Sequence, residues 1–144
     1  RALGNRSLLL DPRIKNGKDI MNKVKNREWF RPFGASILEE EAHKWFDMAG
    51  LKESPYMLYA VEVKEGVKDK IPAVIHVDNT CRIQTVNHED NELIYKILHA
   101  FYKRTGIPML INTSFNLAGE PIVETPRQAR ASFNKGGFKR LVMA

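Results

Sequence analysis

Apolar residues along this chain come in two patterns, short unbroken runs and stripes at helical spacing, and the two alternate. Residues 7–10 (SLLL) are the first run, stopped by Asp11-Pro12. Residues 11–18 read as a basic loop. Asp19 can cap a short helix over 19–26, with Ile20 and Val24 on one face. Residues 27–35 (REWFRPFGA) keep neither period and read as an ordered loop. Helical spacing returns over 39–49, where Ala42, Trp45, Phe46 and Ala49 face inward and Gly50 follows the end.

In the second half, 56–63 (YMLYAVEV) is a strand rich in aromatic and branched residues, and 64–70 is a polar loop. Residues 73–77 and 82–86 read as two strands with a hairpin-like connection through 78–81. Residues 91–104 form the clearest helix: Leu93, Ile94, Ile97, Leu98 and Phe101 share a face, Asp90 can cap it and Gly106 can follow it. A buried strand spans 108–111. Thr125-Pro126-Arg127-Gln128 opens a further helix as a capping box, running to about residue 134, and 140–143 (RLVM) is a last strand. Strands in hairpin-like pairs together with helical crossovers predict an α/β or α+β fold, with a sheet of parallel and antiparallel pairs.

Composition narrows the class. The chain has 144 residues, 43% hydrophobic and 28% charged, which suits one folded domain with a core. No apolar run approaches membrane-span length, and no signal-peptide pattern opens the chain. Cys81 stands alone, so no internal disulfide forms, and no Cys/His group has zinc spacing. A cytoplasmic enzyme or binding domain fits. Arg1-Ala2-Leu3-Gly4 reads as the middle of something, which suggests a C-terminal domain excised from a longer protein. The formal charge is +6, from 23 Lys and Arg against 17 Asp and Glu, and points to an anionic partner, either nucleic acid or a phosphorylated small molecule. The basic residues are densest from Arg6 to Arg31.

Four stretches could carry chemistry. ALGNRS offers a Gly turn, the Asn5 amide and the Arg6 fork, which suits phosphate or carboxylate but equally a surface turn. In KNREWFRPF, Lys25, Arg27 and Arg31 are interleaved with Trp29, Phe30 and Phe33. The aromatics could hold a loop that projects cations into a site, stack the bases of a single strand, or simply fill a core. Around HVDNTCRIQTV, His76 reads as a structural residue, Asp78 as a turn closer and Arg82 as the more interesting group. INTSFN places Asn112, Ser114 and Asn116 where a strand ends, as a side-chain-bonded turn or as a neutral ligand shelf. With no nucleophile–base pair, Walker loop or metal cluster in the pattern, the basic and neutral sets together suggest a site that binds phosphates and works by positioning and electrostatics.

In this order the four stretches, RALGNRSLLLDPR, NKVKNREWFRPF, IPAVIHVDNTCRIQTVN and TGIPMLINTSFNLAGEPIVETP, resemble the C-terminal domain of the O-carbamoyltransferases. That family includes the nodulation, cephamycin and tobramycin carbamoyltransferases. The match is weak only over residues 36–70. It implies a YrdC-like domain, a twisted mixed sheet with flanking helices and a concave basic cleft. Such a domain makes carbamoyl-adenylate from ATP and carbamoyl phosphate, with magnesium expected alongside ATP. A preceding metal-binding domain of the ASKHA type, outside this chain, then passes the carbamoyl group to a small acceptor hydroxyl.

By motif, the resemblance assigns Lys25 and Arg31 to catalysis and phosphate contact, and Arg6 and Arg82 to phosphate contact. It assigns Ser114 and Asn116 to the nucleotide or carbamoyl-adenylate, and Asn112 to support of the turn. No metal ligand is expected within this chain. Asn79 stands where the family has Gly, a position whose left-handed turn Asn tolerates. The residues that ordinarily precede RALGNRS are missing, so Arg1 is expected to be out of place in the isolated domain. The rival expectation is an RNA-binding YrdC-like module without adenylating activity; the ordered neutral motifs argue against it, because nonspecific RNA binding needs no such set.

Overall fold

The computed structural model describes residues 3–143. Its centre is a strand that periodicity does not reveal. β2 (Gly34–Leu38, GASIL) is buried at every position, so it shows no polar alternation. It pairs in parallel with β5 (Thr80–Val86) and antiparallel with β6 (Met109–Ser114). Outside these lie β1 (Ser7–Leu10) against β6 and β4 (Ala60–Val63) against β5, with the two-residue β3 (Phe46–Asp47) beyond. The result is an open six-stranded sheet of order β1-β6-β2-β5-β4-β3, the mixed α/β architecture expected.

Helices flank it: α1 (Gly17–Lys25), a single turn α2 (Ala42–Trp45), α3 (Glu92–Thr105) and α4 (Pro126–Gly136). Leu38, Val86, Ile94, Leu98 and Leu110 join α3 to one sheet face, while the larger core on the other face includes Phe33, Ile37, Phe46, Ile83, Met109 and Ile111. Among the described residues no helix is long and apolar enough to cross a membrane.

Several local expectations need correcting. α1 starts at Gly17, with Asp19 in its first turn and no capping bond from a side chain. The cap of α3 is Asn91, whose side chain accepts from Ile94 N, while Asp90 N is held by Asn87. The helix expected over 39–49 breaks into a 3₁₀ turn at Glu39–Glu41, α2 and β3, because Phe46 and Asp47 extend to pair with Val63 and Glu62. Residues 56–59 precede their strand as a loop. Pro72 starts a 3₁₀ turn at Pro72–Val74, so there is no strand over 73–77 and no hairpin with β5. Residues 140–143 form no strand. The capping box at Thr125 and the left-handed Gly106 and Asn79 are as expected.

Candidate functional site

One end of the sheet gathers the chemistry. The register sets Ser7 opposite Ser114, Asn112 opposite Gly34, and Arg82 opposite both Gly34 and Ala60. β6 and β4 present their carboxyl ends there, while β1, β2 and β5 present their amino ends. β6 also continues through Ser114, so Asn112 lies inside the strand and supports no turn. Arg1 lies outside the described residues.

The last turn of α1 drives Lys25 into this end. Lys25 is 4% exposed, and its Nζ donates to Ser114 O (2.6 Å), Ser114 Oγ (3.2 Å) and Asn116 Oδ1 (2.9 Å). Ser114 Oγ itself donates to Asn116 Oδ1 at 2.6 Å, closing the cluster. Asn116 Nδ2 donates to Glu120 O, and Ala118 N to Lys25 O, which pins residues 116–120 against α1. Burial, with the Arg27 charge beside it, pulls the Lys25 pKa down to about 8. Asn26, left-handed at φ 49°, ends the helix and turns the chain along the cleft.

Arg27 is clamped. Its guanidinium lies 3.9 Å from the centre of the Phe33 ring, Nε donates to Asn22 Oδ1 (2.7 Å) and Nη2 to Pro32 O (3.1 Å). Burial, and then the nearby charges of Arg31 and Arg82, lower its pKa, as expected where like charges converge. Asn22, 2% exposed, also donates to the carbonyls of Trp29 and Arg31 and so shapes the loop that carries both arginines. Arg31 is exposed and pairs with Glu28 at 2.9 Å. An exposed pair of this kind is weak, so an incoming anion can displace the carboxylate. Lys25, Asn26, Arg27, Glu28, Arg31, Ser114, Asn116 and residues 117–119 enclose a cleft of about 530 Å³.

The family profile described as Carbamoyltransferase C-terminus matches residues 1–144. The chain belongs to this family. It is 47% identical to nodulation protein NolNO of Sinorhizobium fredii over 92% of this chain and 20% of that protein. It is 45% identical to nodulation protein NolO of Bradyrhizobium diazoefficiens over 92% of this chain and 25% of that one. With nodulation protein U of Rhizobium tropici it shares 42% identity over 83% of this chain and 20% of that protein. The chain thus spans a fifth to a quarter of the length of these relatives.

In this carbamoyltransferase C-terminal domain, the geometry joins Lys25, Ser114 and Asn116 directly and sets Arg31 on the same cleft. Arg82 is exposed at the same sheet end and lies within electrostatic reach of Arg27. Arg6 does not line the cleft; its carbonyl accepts from Phe115 N, which ties its backbone to the chain just beyond β6. His76 is structural, its ring bridging Phe33 O (3.1 Å) and Thr80 Oγ1 (3.0 Å). Two residues were missed as site members. Arg27 was visible only as one cation among several. Asn22 sits inside a helical pattern, where nothing in the sequence marks it as a buried polar group.

Proposed function

We propose that this domain activates the carbamoyl group: it binds ATP and carbamoyl phosphate at the Lys25 cleft and forms carbamoyl-adenylate. Carbamoyl phosphate and water give carbamate and phosphate. A carbamate oxygen then attacks the α-phosphorus of ATP and pyrophosphate leaves. The observation that carries this reading is the closed Lys25–Ser114–Asn116 cluster facing Arg27 and Arg31 across one cleft. Two anionic reactants repel each other, and fixed cations offset that repulsion as charge builds on the leaving pyrophosphate.

In the roles we assign, Arg27, Arg31, Arg82 and Arg6 hold phosphate oxygens. Lys25 steadies charge between the reactants, and Ser114 and Asn116 orient the carbamoyl or ribose part. Among the described residues no group of three or more His, Cys, Asp or Glu could hold a metal ion. In this reading magnesium comes with ATP as part of the substrate, bound to its phosphates. The acceptor is a small hydroxyl compound, carbamoylated by another domain of the complete protein.

The test is carbamoyl-phosphate-dependent exchange between ATP and pyrophosphate, measured on the complete protein. Exchange that disappears in Lys25→Ala and Arg31→Ala supports the reading; exchange untouched by both changes refutes it. A second reading, RNA binding, draws on Trp29 and Phe30, which are 75% and 61% exposed beside the cations. RNA binding that weakens with salt yet ignores ATP would favour it.

A further inference from the structure

We infer that Asn112 selects the carbamoyl group through its amino end: the buried Oδ1 of Asn112 accepts a hydrogen bond from the substrate's NH₂. This rests on the reaction proposed above and names what that site recognises.

A chain of two side-chain amides fixes which atom of Asn112 is free. Gln84 Nε2 donates to the Pro55 carbonyl at 2.8 Å, and a carbonyl can only accept, so the Gln84 amide has one orientation. Its Oε1 therefore faces Ser36 Oγ and Asn112, each at 3.0 Å. The Asn112 atom facing it must be the donor Nδ2. Oδ1 is left on the other side, buried and without a partner. Buried polar atoms are rarely left so, because the desolvation cost is then unrelieved.

Oδ1 thus calls for a donor. A phosphate or carboxylate oxygen there would set lone pair against lone pair, and a methyl group would leave the acceptor unsatisfied. A carbamoyl NH₂ carries two N–H groups and is small and planar. Asn112 and Ser114 point to the same face of β6, about 7 Å apart along the strand. That is the reach from an amino end to a phosphate held by the Lys25 cluster. The register partner of Asn112 is Gly34, which sets no side chain of its own beside it. A Cβ there would fall 2.7 Å from Arg82 O and 2.8 Å from Met57 Sδ. Met57 is the cover over this part of the face, and its unbranched thioether side chain can swing aside.

The experiment compares carbamoyl phosphate with acetyl phosphate, which has CH₃ in place of NH₂, in the exchange reaction of the complete protein. Wild type prefers carbamoyl phosphate. Asn112→Leu lowers that preference in kcat/KM by about 10–100-fold, losing the carbamoyl reaction and keeping the acetyl one. Asn112→Ser, a smaller change, gives the same fall if the leucine variant does not fold. A preference unchanged in the leucine and serine variants overturns the inference, as does a parallel loss of both substrates in the serine variant, which would mark a structural role. A nucleotide hydroxyl as the donor would instead erase the preference for ATP over 2′-deoxyATP and leave the acyl preference intact, and that too overturns it. Wild-type protein with no exchange on either acyl phosphate refutes the reaction itself.

Discussion

Binding of ATP at the cleft is predicted to draw protons from solution, in an amount set by Lys25. In the free domain the Lys25 pKa lies at about 8 because its ammonium is buried beside another cation. A phosphate within reach supplies the missing opposite charge and returns the pKa toward the ordinary lysine range, near 10.4. Free Lys25 is then protonated about 90%, 50% and 10% of the time at pH 7, 8 and 9, and the bound form is nearly always protonated. Uptake follows as about 0.1, 0.5 and 0.9 proton per site at those pH values. ATP confuses the measurement little above pH 8, since its terminal phosphate loses its last proton near pH 6. The assay is titration calorimetry in two buffers of different ionisation enthalpy, on wild type and on Lys25→Met. The difference between the two proteins isolates this residue. Uptake that stays flat from pH 7 to 9, or persists unchanged in Lys25→Met, would show that the phosphates sit away from Lys25.

Two further perturbations test the support around the cleft. Gly34→Ala sets a methyl 2.7 Å from the backbone oxygen of Arg82, which cannot step aside cheaply; a loss of about 1–3 kcal/mol is expected from the urea midpoint. Asn22→Ala removes the partner of Arg27 Nε and the donor to the Trp29 and Arg31 carbonyls; a loss of about 1–3 kcal/mol in denaturant unfolding is expected, together with weaker ATP binding as both arginines lose their setting.

How much of this was legible in the sequence depended on whether a signal was local. α3 and α4 announce themselves, one by a helical stripe ending at Gly106 and the other by a capping box at Thr125. β2 stays hidden because a strand buried on both faces has no alternation to detect, and GASIL mixes Gly and Ala into a short run. The helix expected over 39–49 failed because its apolar spacing also serves an extended pair, Phe46 opposite Val63. For the site, residue types could be read and partners could not. Lys25 and Ser114 stood out as a cation and a neutral polar group. That they bond across 89 positions comes from where the end of α1 packs against the end of β6, which neither segment shows by itself. The orphaned oxygen of Asn112 depends on an amide in β5 and a carbonyl at Pro55, and no pattern within one segment encodes it.

The place of β2 bears on how the domain comes to exist during synthesis. Both its neighbours arrive late: β5 follows it by about fifty residues and β6 by about seventy-five. Until then the central strand has nothing to pair with, and an apolar segment with open backbone groups waits in solution. Closing such long loops before any contact rewards them slows folding and lengthens the exposure to aggregation. The same delay ties function to completion. Arg27, Gly34 and Ser114 meet only when β6 docks, so a truncated or half-made chain has no cleft.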